Sequence, residues 1–313
     1  MKIVGIVSVI LVLIISVAGY FIGDYFYNLA LNPEVDKSVI LNSPQNEMDE
    51  DDATEVSELN TWFTNSNYSD EYMQSRDDLK LHAYQIENEV ETNKWVIICH
   101  GYTSEASNMT ASAKNFNTLG YNILLPDARG HGQSEGDYIG MGWDERLDIV
   151  DWIDQIIEKD KDAQIVLYGV SMGGATVMMT SGEDLPSNVK VIVEDCGYTS
   201  VRGIFSYQLQ ETFGLPSFPV MDFANLVTNF KAGYSLNEAS AIEQVKKSKT
   251  PILFIHGDED TFVPSHMVEE VYEAATIEKD IYIVPGAGHG AAATVAGEAY
   301  WQTVDNFISK YIK

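Results

Sequence analysis

Hydrophobic positions along the chain fall into three regimes. Residues 3–22 carry no charge and are apolar almost throughout; as a helix rising ~1.5 Å per residue they would cover about 30 Å, the thickness of a bilayer's hydrocarbon layer. Residues 32–60 have weak apolar periodicity and an acidic run that includes Glu47, Asp49, Glu50, Asp51, Asp52, Glu55 and Glu58, the pattern of a solvated tether. From about Tyr72 onward, short β-rich runs at 79–87, 95–99, 122–126, 165–168, 189–194, 252–256 and 281–284 alternate with helical patterns. Such alternation predicts an α/β fold, a mainly parallel sheet flanked by helices. Several of the runs are apolar throughout, as strands buried on both faces require. Trp143, Leu147, Val150, Ile153 and Ile157 recur at spacings of three and four, which predicts a helix with one apolar face. No internal repeat is visible.

The first regime reads as a transmembrane span through residues 3–22. Lys2 precedes it and Asp24 follows it, so the positive-inside rule puts the N-terminus in the cytoplasm and the rest of the chain outside. Tyr20, Phe21, Tyr25, Phe26 and Tyr27 fit an aromatic belt at the far interface. A cleaved signal peptide is the competing reading, since Ser16 and Ala18 offer a small-residue cleavage site, although the apolar stretch is longer than a usual signal core. Both readings export the remainder of the chain.

Charge narrows the partners. The chain has 19 Lys and Arg against 47 Asp and Glu, a formal net charge of -28, which argues against nucleic acid because phosphate binding needs clustered cations. An acidic surface that keeps the protein soluble is the plain alternative to any charged partner. Cys99 and Cys196 are the two cysteines. Each ends an interior-looking run, so two buried free thiols are expected rather than a disulfide framework or a zinc site.

Chemistry enters at residues 168–174, Tyr-Gly-Val-Ser-Met-Gly-Gly, where Gly-x-Ser-x-Gly follows an apolar strand and precedes a helical run. That is the pattern of a nucleophile elbow, with Ser171 on a strained turn and Gly169 and Gly173 where strand and helix come too close for side chains. A serine hydroxyl needs a base. In folds with this elbow the acid and base follow the serine in chain order, which leaves His256, His266 and His289 of the six histidines. His289, in Gly-Ala-Gly-His-Gly just past the last predicted strand, is the choice. The acid is sought in 256–264, His-Gly-Asp-Glu-Asp-Thr-Phe-Val-Pro; Asp260 is preferred and Asp258 is the runner-up. Two backbone donors must hold the oxyanion. The Met172 amide follows the nucleophile, and the Tyr102 amide follows the early strand in His100-Gly101-Tyr102. His100 is expected to be a structural hydrogen bonder.

At this point the chain resembles the α/β-hydrolase superfamily, in the branch similar to serine aminopeptidases, monoglyceride lipases and related bacterial esterases. The resemblance spans roughly residues 72–311. It rests on His100-Gly101-Tyr102, on Asp-Ala-Arg-Gly-His-Gly-Gln-Ser at 127–134, on the Ser171 elbow, on His256-Gly257-Asp258-Glu259-Asp260 with Val263-Pro264, and on Gly288-His289. It implies that the 129–134 loop is structural and that His131 is not catalytic. It leaves open whether esters, thioesters or amides are cleaved.

The expected organisation is an anchor or signal at 1–31, an acidic tether at 32–65 and a catalytic domain at 66–313. Aromatic residues at 198–246, among them Phe205, Tyr207, Phe213, Phe218, Phe223 and Phe230, suggest a small helical cap over the site, with ordinary helical packing as the alternative. The expected activity is hydrolysis of a small-molecule carboxylic ester of small or medium acyl chain by Ser171, His289 and Asp260, with no cofactor and no metal. A peptidase or acyltransferase is the enzymatic alternative, and a surface-anchored binding protein the non-enzymatic one.

Overall fold

A computed structural model describes the backbone of residues 2–41 and 50–313 and the side chains of 6–41 and 58–313. Among the described residues eight strands form one sheet: β1 (Ser69–Gln74), β2 (Lys80–Ile86), β3 (Lys94–Cys99), β4 (Asn122–Pro126), β5 (Gln164–Val170), β6 (Val189–Asp195), β7 (Ile252–Gly257) and β8 (Lys279–Val284). Their order is β1-β2-β4-β3-β5-β6-β7-β8. The β1–β2 and β2–β4 pairs are antiparallel, and every pair from β4 to β8 is parallel.

Alternation along the apolar strands divides the core in two. Ile97, Leu167, Ile192 and Phe254 point to one face. Their neighbours Ile98, Tyr168, Val193 and Ile255 point to the other. On the second face Phe116 of α4 (Thr110–Thr118) and Tyr300, Val304 and Phe307 of α12 (Glu298–Ile308) close the core. The first face is covered by α5 (Glu145–Lys159), α6 (Met172–Thr180), α9 (Ala241–Val245) and α10 (His266–Ala274). Burial of this apolar area, at roughly 25 cal/mol per Å², is the main driving force that holds the layers together.

The face of α5 differs from expectation. Ile149, Trp152, Ile153 and Ile156 are buried together with Glu145 and Asp148, whereas Leu147, Val150 and Ile157 are only half-buried. The inward turn is fixed by polar groups: Asp148 takes two hydrogen bonds from the buried Arg129, at 2.9 and 2.8 Å, and Glu145 accepts from the Gly140 and Gly142 amides. A hydrophobic pattern alone cannot show that a face is anchored by a buried ion pair.

Between β6 and β7 lie α7 (Val201–Phe213), α8 (Ser217–Ala232) and α9. The N-terminal helix α1 (Lys2–Leu31) runs well past Ile22. Its stretch Ile6–Leu31 is long and apolar enough to cross a membrane by length and composition. Residues 6–18 are exposed, while Tyr27, Leu29 and Leu31 are buried against the rest of the protein. The stretch read as a tether contains the short α2 (Ser38–Leu41) and the longer α3 (Glu50–Asn65). Glu47 and Asp49 of the acidic run lie outside the described residues. At the end of α3, Phe63 stacks on Tyr68 at 4.8 Å and meets Tyr84 edge-on. This aromatic contact was invisible to a reading based on acidity.

Candidate active site

Ser171 sits between β5 and α6 at φ 58°, ψ -116°, a left-handed position that costs a non-glycine residue about 1–3 kcal/mol and persists only where its surroundings impose it. They do so here. The Ser171 amide donates to the Asp195 carbonyl at 2.8 Å, tying the elbow to the end of β6. A side chain at Gly173 would collide with the Cys99 carbonyl, and one at Gly169 with the Gly173 carbonyl. The first intrahelical bond of α6 runs from the Ala175 amide to the Ser171 carbonyl, so the Met172 amide, at the helix start, has no partner within the helix.

His289 lies on the loop between β8 and α11 (Ala292–Ala296). Its Nε2 is 2.8 Å from Ser171 Oγ, and its Nδ1 is 2.7 Å from Asp260 Oδ2. The other Asp260 oxygen accepts the amides of Phe262 and Val263 at 2.9 and 2.8 Å. Burial opposes the Asp260 charge, but hydrogen bonds from His256 and His289 outweigh it and hold the carboxyl at about 2. Asp258 does something else: its Oδ1 accepts the Gly286 amide at 2.6 Å, fastening the histidine-bearing loop to the acid-bearing one. His266 is exposed on α10, 3.8 Å from Glu270, away from this chain of bonds.

The early loop brings Gly101 and Tyr102 beside the serine; a Cβ on Gly101 would sit 3.5 Å from Ser171 Cβ. His100 Nδ1 donates to the Gly101 carbonyl at 2.8 Å, and the Ser104 amide donates to the same oxygen. In a trans peptide the N–H points opposite to the C=O, so holding the Gly101 oxygen turns the Tyr102 N–H the other way. The second His100 nitrogen accepts from Ala128 at 3.0 Å. His131 accepts the Thr103 amide on Nε2 and donates from Nδ1 to the Arg129 carbonyl. Burial lowers the pKa of both imidazoles, that of His131 to about 4. They are neutral braces of the loop.

Sequence reasoning missed part of this frame. Asp127 accepts from the Ala106 and Gln133 amides and from the buried His82 at 2.8 Å, which fixes the loop behind Tyr102. Behind the serine, Asp195 accepts the Tyr300 hydroxyl at 2.8 Å; its other oxygen and Glu194 Oε1 have no hydrogen-bond partner among the described residues. Only the paired acids at a strand end hinted at them. Cys99 and Cys196 are both free and buried. Ligand atoms of Cys196, Asp260 and His289 lie within 4.8 Å of one another. The carboxylate and imidazole are already bonded to each other, however, and burial pushes the thiol well up, so the three do not form an open ligand set.

A cavity of about 820 Å³, counted with its open mouth, reaches Ser171. Tyr102, Met141, Tyr198 and Phe262 are part of its lining, together with residues of α1, α7 and α8. The lining is almost entirely apolar.

Comparisons with known proteins match this arrangement in two blocks. A family model for serine aminopeptidase, S33, matches residues 90–196, which include Tyr102, Ser171 and Met172. One for the dienelactone hydrolase family matches residues 220–310, which include Asp260 and His289. The chain is 29% identical over 219 residues to the uncharacterized protein YqkD of Bacillus subtilis, covering 70% of this chain and 72% of that protein. It is 24% identical over 238 residues to an uncharacterized membrane protein of Saccharomyces cerevisiae, covering 75% and 77%. A solved esterase of Pyrococcus furiosus superposes with a TM-score of 0.65 at 22% identity, covering 82% of this chain and 94% of the esterase. With the strand order, the elbow and both family models in agreement, the chain belongs to the α/β-hydrolase superfamily.

Proposed function

We propose that the protein is a serine hydrolase that cleaves carboxylic esters through an acyl-enzyme. The observation that carries this reading is the unbroken chain Ser171–His289–Asp260, with spacings of 2.8 and 2.7 Å. As Ser171 Oγ attacks the acyl carbon, its proton passes to His289 Nε2, and Asp260 orients the ring and stabilises the imidazolium. The amides of Tyr102 and Met172 receive the developing oxyanion, each worth about 3 kcal/mol of transition-state stabilisation. His289 then protonates the leaving alcohol as the C–O bond breaks. Water adds to the acyl-serine, gives its proton to His289 and releases the acid, and the proton returns to Ser171.

Ester is preferred to aminopeptide because, among the described residues, the cavity lining has no carboxylate for an α-ammonium group. The three helices between β6 and β7 serve as the cap that shapes this cavity. The uncharged residues 3–22, with Lys2 before and Asp24 after, favour an anchor with the catalytic domain outside the cytoplasm. The yeast relative's description as a membrane protein agrees with an anchor.

A fluorophosphonate probe tests the reading directly. The wild-type chain should label and hydrolyse p-nitrophenyl esters; Ser171→Ala should lose the label and at least about 10⁴-fold in kcat. An unlabelled wild type would mean a binding protein. Turnover of aminoacyl amides but not esters would overturn the ester assignment.

A further inference from the structure

The geometry points to α1 as part of the substrate site: its last two turns form a wall of the acyl cavity, and the substrate is a long-chain acyl ester drawn from the membrane in which the helix stands. This rests on the serine-hydrolase reading above and names the substrate of that same site. Three observations carry it.

First, Phe26, Leu29 and Ala30 of α1 line the cavity that reaches Ser171, opposite Phe213 of α7, which meets Phe26 edge-on at 5.6 Å. Without α1 the cavity would lose one side. Second, the end of α1 is bonded into the site. The Tyr102 hydroxyl donates to the Ala30 carbonyl at 2.6 Å, the Ile139 amide donates to the Leu31 carbonyl at 2.8 Å, and Lys37 Nζ donates to the Asn28 and Asn32 carbonyls. Of the carbonyls that a helix end normally leaves to water, those of Ala30 and Leu31 are therefore taken up by the catalytic domain, one of them by the residue whose amide faces the oxyanion. An anchor on a loose tether would make neither the Ala30 nor the Leu31 bond.

Third, the level of the cavity fits a membrane source. If residues 3–22 fill the hydrocarbon layer, Phe26 stands ~6 Å and Ala30 ~12 Å beyond its edge. The headgroup layer is about 5–8 Å deep on each side, so the wall begins within it. Helix α8 runs beside α1 in the same sense: Gly19 and Gly23 pack on Phe223, and Asp24 pairs with Lys231. Phe218, at the kink that opens α8, is 77% exposed, and Leu226 and Phe230 further along the helix are exposed at 65% and 83%. Apolar side chains of this size left in water beside an anchor are the mark of a surface that dips into lipid.

The test uses the full chain reconstituted into phosphatidylcholine vesicles with a fluorogenic glycerol ester bearing two long acyl chains. Hydrolysis should be at least tenfold faster when ester and protein share vesicles than when they occupy separate ones. Leu29→Trp should lower the ratio of long-chain ester turnover to p-nitrophenyl acetate turnover at least tenfold, with Ser171 still labelled by the fluorophosphonate. Because Leu29 is buried, Phe26→Ala gives a second reading that only removes atoms; it should shift chain-length preference several-fold. Equal rates in shared and separate vesicles, or an unmoved chain-length profile in both variants with Ser171 still labelled, would overturn the inference. Failure of the wild type to label would instead overturn the serine-hydrolase reading.

Discussion

At the residue scale, the site turns on which of three adjacent acids serves His289. Asp260 holds the imidazole and accepts two backbone amides, whereas Asp258 makes one bond to the Gly286 amide. Asp260→Asn should therefore lower kcat by about 10⁴-fold, since an amide cannot stabilise the imidazolium and favours the wrong tautomer. Asp258→Asn should cost less than about tenfold, because a loop bond is worth only about 1 kcal/mol. Kinetics of the two variants on one ester would reverse the assignment if Asp258→Asn were the more damaging. Ser171 and His289 were legible in the sequence because the elbow has a required spacing and the base a required place in chain order. The choice among residues 258–260 was less so, for it depends on where the Phe262 and Val263 amides point. Of the braces around Tyr102, His100 was legible as a structural hydrogen bonder, whereas the bond between His82 and Asp127 was hidden because it joins residues 45 positions apart.

At the element scale, the buried strands were readable from their apolar runs, and β1 was not. It is an edge strand, Ser-Asp-Glu-Tyr-Met-Gln, largely exposed and antiparallel to β2, so its sequence lacks the signature of a strand covered on both faces. The anchor's bound at residue 31 matches the end of α1, but the packing of its last turns against the rest of the protein was not legible, because the uncharged run ends before Asp24 and nothing in the sequence pairs residues 24–31 with a distant partner. Helix α1 and α8 approach closely enough that a Cβ on Gly23 would collide with the Phe223 carbonyl. Gly23→Leu should therefore force the helices apart at a cost of about 1–3 kcal/mol and lower the thermal midpoint in detergent by several degrees. Val12→Leu, on the 62% exposed side of the projecting stretch, should leave it unchanged. Identical midpoints for the two variants would mean that the α1–α8 contact does not contribute to the stability of the folded chain.

At the scale of the whole molecule, an acidic protein has buried several of its acids, and this sets how its stability depends on pH. Burial pushes Glu145 up to about 7 and Asp195 up to about 6, and raises Glu194 well above the usual carboxylate range. Glu194 Oε1 and one Asp195 oxygen have no hydrogen-bond partner among the described residues, so no bond at those atoms offsets the cost of burying the charge. A carboxyl group with a higher pKa folded than unfolded binds its proton more tightly in the native state, so its contribution is lost as pH rises from about 4 toward 7. For Asp195 alone the displacement is worth about 3 kcal/mol. His82 acts in the same direction: burial opposes its charge, but the Asp127 and Asp70 carboxylates prevail and raise its pKa, so its contribution is complete below about 6.5 and fades above. Asp260 has the opposite sign, yet its depressed value of about 2 confines its effect to pH below about 4. Mutual repulsion within a net charge of -28 also eases as carboxylates protonate. The thermal midpoint should therefore be several degrees higher at pH 5 than at pH 8. Raising the salt to 0.5 M should remove the surface part by screening and leave the buried part, and Glu145→Gln should flatten the remaining slope. A midpoint that rose between pH 5 and pH 8 at high salt would mean that these interior acids ionise as readily in the folded chain as in the unfolded one.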